Sequence, residues 1–329
     1  MTGCHYSVII IMVFNTNSIP MDLLTNKDIK AFKEDGVIVV RNILTKEWQN
    51  KMAKAIDETI ANKSLTGKFI SGKNNGGFAG DIDLWYRNDT FYDFMLHSPC
   101  SKYAQEVLGT EIVRHFYDQT FIKPAGCHLA TPFHHDITFW PVDFKKNNIC
   151  SIWMTLDPVT KESSGLEFIK GSHNWDGPWK SYAPGNDALV NKEHKDLPDI
   201  DSLREGNEFF CPDMEPGDAL IFNAHIVHGA SENSTLDKPR RAFTSRWCDD
   251  QTVFENKEKT KPITAKHDLK DGDFLSGPLY PQVLPATISS ELALRNKGPI
   301  KLNKTKLLKD LIGSSARGFF SFKGLLNLK

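Results

Sequence analysis

The chain has 329 residues, 40% apolar and 25% charged, with 40 basic and 41 acidic side chains. This is ordinary globular composition, and the near-zero net charge offers neither a basic stripe for nucleic acid nor a polybasic block for a membrane surface. Six cysteines, at 4, 100, 127, 150, 211 and 248, show no C-x-x-C spacing; they are expected as reduced thiols in the cytoplasm or another reducing intracellular compartment.

In chain order, residues 1–20 form an N-terminal extension. Its apolar run, Val8 to Phe14, lacks a basic n-region and is too short to span a bilayer; Met12 and Met21 are alternative starts. Thr25 is a predicted N-cap for a short helix that Gly36 ends, followed by a buried strand, GVIVVRNIL. Thr45 caps a second helix, with Trp48, Met52, Ala55, Ile56 and Ile60 on one face. Residues 63–88 are rich in Gly, Asn and Lys and read as a long mobile loop, a binding loop or lid whose Phe69, Phe78, Trp85 and Tyr86 pack when it closes. From about 111 the texture changes to short strands divided by turns: EIVRHFYDQTFIK, PFHHDITFW, NICSIWMTLDP, GLEFIKGS, DALIFNAHIVHG and RRAFTSRWC. A polar insertion at about 176–208 separates two of them. The expected fold class is α+β, mostly β: an antiparallel sandwich or jelly roll braced by N-terminal helices. A single domain over 21–300 and a C-terminal tail over 301–329 complete the organisation.

The chemistry centres on TPFHHDITFW, residues 131–140. On a β-strand, His134 and Asp136 share a face and His135 takes the other. An imidazole and a carboxylate side by side are two-thirds of the 2-His-1-carboxylate triad that holds non-haem Fe(II). The third ligand is sought in ALIFNAHIVHG, read as one strand; His225 and His228 differ by an odd number and face opposite sides. His228, next to the turn-prone GASENS, is favoured, with His225 as the alternative. In PRRAFTSRW, Arg240, Ala242, Thr244 and Arg246 share a face. An arginine aimed into an apolar barrel requires an anion, which a dicarboxylate cosubstrate supplies through a bidentate pair. Each signal alone has a bland reading: an H-x-D triplet arises by chance, a lone histidine is usually a satisfied structural residue, and a buried arginine usually meets a protein carboxylate. Their order along the chain favours the metal site.

FIKPAGCHLATPFHHDITFW, SIWMTLDPVTKESSGLEFIKGSH, EPGDALIFNAHIVHGASENS and PRRAFTSRW resemble, in that order, segments of the phytanoyl-CoA dioxygenase (PhyH) family of Fe(II)/2-oxoglutarate oxygenases. The resemblance runs from about Thr25 to Pro285 and is strongest between Arg114 and Asp250. It implies a double-stranded β-helix, the cupin-like jelly roll. It implies iron ligands His134, Asp136 and His228, with Arg240 on the far carboxylate of 2-oxoglutarate. Lys123, Trp153 and Thr155 fall in segments that line the family's cosubstrate region. Two departures stand out: Ala230 replaces a frequent Ser, and Ser163-Ser164-Gly165 replaces an Asn-Gly turn, the latter with no expected chemical consequence. Asp136 is intact, which argues against halogenation.

The implied activity uses Fe(II), O2 and 2-oxoglutarate, with ascorbate as a candidate reductant, to oxidise an unactivated C–H bond and release succinate and CO2. Hydroxylation, desaturation and oxidative ring closure, as in kainoid-forming relatives of specialised metabolism, all remain open. The substrate is expected to be a small acidic or amphipathic metabolite, with an acyl-CoA or a cupin-type metalloprotein not using 2-oxoglutarate as alternatives. Phe139, Trp140, Arg246, Arg114 and Lys73 are the candidate substrate contacts; His135 and His173 are read as structural. No nucleic-acid or membrane partner is expected, and the chain is expected as a monomer or weak homo-oligomer.

Overall fold

The computed structural model describes residues 23–71, 76–180, 193–257, 260–261 and 267–286. The expected N-terminal extension, the C-terminal tail and Lys73 lie outside the described residues. Helix α1 (Asn26–Asp35) begins with a reciprocal cap: Asp28 N–H donates to the Thr25 hydroxyl at 3.2 Å, and the Asp28 carboxylate accepts from Thr25 N–H at 2.9 Å. Gly36, at φ 81°, ends it in the left-handed conformation, and a Cβ there would collide with the His173 ring. Strand β1 (Val37–Val40) follows, and Thr45 caps α2 (Lys46–Ala61).

The stretch expected as a mobile loop instead contains α3 (Leu65–Ser71) and strand β2 (Ala79–Ile82). The reason is Asp81, 1% exposed. Its carboxylate accepts from Ser64 Oγ at 2.7 Å, Thr66 Oγ1 at 2.7 Å and Arg87 Nη2 at 3.0 Å. One buried anion thus organises a segment with no hydrophobic period to announce it. Helices α4 (Asp89–His97) and α5 (Cys100–Leu108) lead to the long strand β3 (Val113–Lys123).

The remaining strands are β4 (Thr131–His134), β5 (Ile149–Thr155), β6 (Leu166–Ile169), β7 (Phe209–Phe210), β8 (Ala219–Asn223), β9 (His228–Ala230), β10 (Arg240–Cys248) and β11 (Gln282–Leu284). They form two antiparallel sheets. The larger has the order β1-β8-β5-β10-β3-β11, with β2 also on β3; the smaller has the order β4-β9-β6-β7. This is the expected jelly roll. ALIFNAHIVHG is not one strand but two, β8 and β9, in different sheets. The break is an Asx turn in which the Asn223 side chain accepts from His225 N–H at 2.9 Å.

Alternation along the large sheet sorts the core into two faces. Its outer face, including Cys150, Ile152, Met154, Ile221 and Phe243, packs under the helices. Its inner face, including Trp153, Leu220, Phe222 and Ala242, meets Phe168 and Ala230 of the small sheet. Phe243 lies between Phe91 and Phe94 of α4, with ring centroids 5.3 Å away from each. Replacing Phe243 by alanine removes this link between helices and sheet. The expected loss is about 3–5 kcal/mol of unfolding free energy, read by denaturant titration. None of the five described cysteines forms a disulfide with another described residue.

Candidate active site

His134 and His228 are register partners across β4 and β9, with ring centroids 4.5 Å apart. Nδ1 of His134 lies 2.9 Å from the Pro132 carbonyl, and Nδ1 of His228 lies 3.1 Å from the Ile226 carbonyl. A carbonyl only accepts, so each Nδ1 carries the proton and each Nε2 keeps a lone pair. Asp136 does not reach them by strand alternation. Strand β4 stops at His134, Asp136 adopts helical backbone angles (φ −68°, ψ −35°), and Ile137–Phe139 form a 3-10 turn. That turn brings Asp136 Oδ1 to 3.6 Å from His134 Nε2. One donor atom from each of His134, Asp136 and His228 lies within 4.8 Å of the others.

The electrostatics suit ligation. Burial pushes the Asp136 carboxyl up, but Arg246 and His134 outweigh it and hold Asp136 well below the usual carboxylate range. Burial, then the neighbouring His134, push His228 down to about 4, so it is neutral at pH 7. Phe168 stacks on the His228 ring at 5.3 Å and fixes its plane. Two imidazole nitrogens and one carboxylate gathered this closely are the donor types of a 2-His-1-carboxylate site for a divalent metal.

A second cluster sits where β3 meets β10. Lys123 and Arg240 are register partners, so two cations point the same way from adjoining strands. They are 0% and 3% exposed. Burial, then Arg240, push the Lys123 ammonium down to about 7; burial pushes Arg240 down to about 10. Arg240 Nε makes no hydrogen bond among the described residues, and its guanidinium lies 5.7 Å from the Trp153 ring centre. Like charges facing each other in a buried pocket are unfavourable without an anion between them. The Thr155 hydroxyl, by contrast, is used locally: it donates to the Asp157 carbonyl at 2.6 Å.

Ser164, expected to be chemically silent, holds this cluster. It adopts φ 72°, a position that favours glycine, and its hydroxyl accepts from Lys123 Nζ at 2.9 Å while donating to the Ser231 carbonyl at 2.5 Å. Serine in place of the asparagine of an expected Asn-Gly turn is the signal that would have flagged it.

The candidate substrate contacts divide. Trp140 is fully buried, and its indole N–H donates to the Tyr117 hydroxyl at 2.7 Å. Phe139 is partly buried in the 3-10 turn beside it. Arg246 lies against Tyr117 with Nη2 3.5 Å from Asp136 Oδ2. Arg114, at the opposite end of β3 from Lys123, donates to the Tyr280 carbonyl at 3.4 Å. His225 is not part of the donor cluster; its Nε2 lies 3.2 Å from Asn147 Oδ1, and His135 accepts from Trp179 N–H at 3.2 Å. His173 Nε2 lies 3.1 Å from the Lys33 carbonyl.

Known proteins place this architecture. The dioxygenase aneA of Aspergillus aculeatus is 23% identical over 228 residues, covering 66% of this chain and 70% of its own length. The dioxygenase cdmD of Talaromyces verruculosus is 22% identical over 269 residues, covering 71% and 78%. The epimerase SnoN from nogalamycin biosynthesis, solved with Fe3+, alpha ketoglutarate and nogalamycin RO, superimposes with a TM-score of 0.63 at 20% identity, over 78% of this chain and 97% of its own. The sequence profile described as Phytanoyl-CoA dioxygenase (PhyH) matches residues 32–242, well over half the chain. Through that match the chain belongs to the phytanoyl-CoA dioxygenase family of 2-oxoglutarate-dependent non-haem iron oxygenases.

Proposed function

We propose that His134, Asp136 and His228 hold Fe(II), that Arg240 and Lys123 hold the far carboxylate of 2-oxoglutarate, and that the site oxidises a C–H bond of a small acidic metabolite. The observation that carries this reading is the donor triad, with both imidazoles in the tautomer that frees Nε2. Fe(II) with 2-oxoglutarate supplies the oxidation: O2 is consumed, the cosubstrate leaves as succinate and CO2, and a substrate C–H bond is oxidised.

The chain's own residues position and protect. The Pro132 and Ile226 carbonyls keep the ligand tautomers, and Phe168 keeps the His228 ring in plane. Asp136 supplies the one negative donor. The paired cations of β3 and β10 select a dianionic cosubstrate, and Ser164 fixes the Lys123 ammonium. The apolar inner wall, Trp153, Phe222 and Phe168, excludes water. Among the described residues no helix is long and apolar enough to cross a membrane.

An anaerobic visible-absorption titration tests the reading. A weak charge-transfer band is expected only when both Fe(II) and 2-oxoglutarate are present. Its pH dependence follows from Lys123. With a free-protein pKa of about 7, Lys123 is protonated below neutrality and loses its proton above it. Binding a dianion requires the charged form, so above neutrality a proton must be taken up, and affinity for 2-oxoglutarate falls roughly up to tenfold per pH unit. Iron binding without the band would favour a metalloprotein that does not use 2-oxoglutarate.

A further inference from the structure

The inner wall of β10 and β5 carries a row of buried polar atoms that make no hydrogen bond among the described residues. Along β10 these are Arg240 Nε, Thr244 Oγ1, and Arg246 Nε and Nη1; Ser151 Oγ stands opposite Arg246 on β5. The proposed cosubstrate accounts for the Arg240 end. Nothing in that reading uses the Arg246 end.

Arg246 is 4% exposed. Its guanidinium lies 4.4 Å from the Tyr117 ring centre and 5.5 Å from that of Trp140. The Trp140–Tyr117 hydrogen bond locks both rings. Among the described residues the only hydrogen bond of Arg246 is the contact of Nη2 with Asp136 Oδ2, at 3.5 Å the outer limit for such a bond. Asp136 Oδ1 is the oxygen turned toward His134. Arg246 therefore sits on the opposite side of the same carboxylate, beside the metal site, with the N–H groups of Nε and Nη1 free.

We infer that Arg246 anchors a carboxylate of the oxidised substrate. The inference rests on the proposed function and names the chemical class that the site receives. A guanidinium whose face is covered by aromatic rings still presents its edges, which match a planar carboxylate. The charge available is that of one guanidinium. Lys261, 4.6 Å from the Tyr117 ring centre, is already paired with Asp83 at 2.8 Å. That balance fits a single carboxylate and not the phosphates of an acyl-CoA. Arg246 lies six residues beyond Arg240 on β10, at the other end of the row of unsatisfied polar atoms. Thr244 and Ser151 hydroxyls between and beside the two arginines offer neutral hydrogen bonds to the rest of the substrate.

The test uses the full chain loaded with Mn(II) and saturating 2-oxoglutarate, and needs no turnover. The probes are butyrate and its neutral analogue butyramide, read by paramagnetic relaxation of their methyl protons. Saturable relaxation of butyrate is expected, with butyramide binding roughly tenfold or more weaker. Arg246→Leu should erase the difference, and Arg246→Lys should keep part of it. Equal relaxation of butyrate in wild type and Arg246→Leu would place the carboxylate elsewhere and overturn the inference. So would an absence of saturable butyrate relaxation when Mn(II) and 2-oxoglutarate are both bound. Loss of Mn(II) from both Arg246→Leu and Arg246→Gln would assign Arg246 to holding Asp136 instead, and would also overturn it. Failure of wild type to bind Mn(II) or 2-oxoglutarate, seen in the Mn(II) resonance and in the cosubstrate's own methylene relaxation, marks failure of the proposed function itself and removes the inference with it.

Discussion

Asp136→Ala is expected to remove divalent-metal binding and all measurable turnover. Asp136 is the only anionic donor of the cluster; His134 and His228 bring neutral nitrogens. Without it the metal loses both a bond and the charge that balances it. Changes that merely touch a ligand's hydrogen-bond partner weaken metal affinity about 10–100-fold, so loss of the ligand itself should exceed about 100-fold. Asp136→Asn separates charge from shape: it keeps the side chain's size beside Arg246 and should still lose most of the metal. His134→Ala and His228→Ala should behave like Asp136→Ala. His135→Ala and His225→Ala should bind metal within a few-fold of wild type, because their Nε2 atoms are committed to Trp179 and Asn147. The measurement is Mn(II) or Fe(II) titration of each variant, with circular dichroism to verify folding. Metal lost in His225→Ala but kept in His228→Ala would reverse the ligand assignment.

The sequence pattern exposed the fold where local signals and tertiary packing agreed. The Thr25 N-cap, the Gly36 stop and the alternating strands of the jelly roll are all of this kind. Segments whose structure depends on distant partners were hidden. The α3–β2 region follows from a buried carboxylate drawing in Ser64, Thr66 and Arg87, which no periodicity encodes. At the site, the residue types and their order were legible, but the geometry that brings them together was not. His134 and Asp136 meet because the chain leaves the strand into a 3-10 turn, not because they alternate on it. His225 and His228 diverge because an Asx turn divides two strands, not because of parity within one. Ser164 required knowing that its backbone is left-handed, and Arg246 required knowing which oxygen of Asp136 it faces.

Arg240→Ala is expected to raise the dissociation constant for 2-oxoglutarate while leaving metal binding intact. Removing one member of a buried, hydrogen-bonded charge pair costs about 2–5 kcal/mol, which corresponds to roughly a thirtyfold to several-thousandfold loss of affinity. Lys123 remains and supplies a point charge, so the loss should fall short of complete. It also makes the variant diagnostic in a second way. Arg240 is, after burial, the next cause of the lowered Lys123 pKa. Taking that cation away lets the Lys123 ammonium hold its proton to higher pH, so the pH above which 2-oxoglutarate affinity declines should move upward in Arg240→Ala. Arg240→Lys keeps the charge but not the planar fork and should bind between the two. The readout is the Fe(II)·2-oxoglutarate band titrated at several pH values, together with succinate formation at limiting cosubstrate. A variant that lost only stability would show neither the selective rise in the dissociation constant nor the shifted pH profile. Turnover unchanged at limiting 2-oxoglutarate would mean that the buried pair of cations on β3 and β10 serves some other anion.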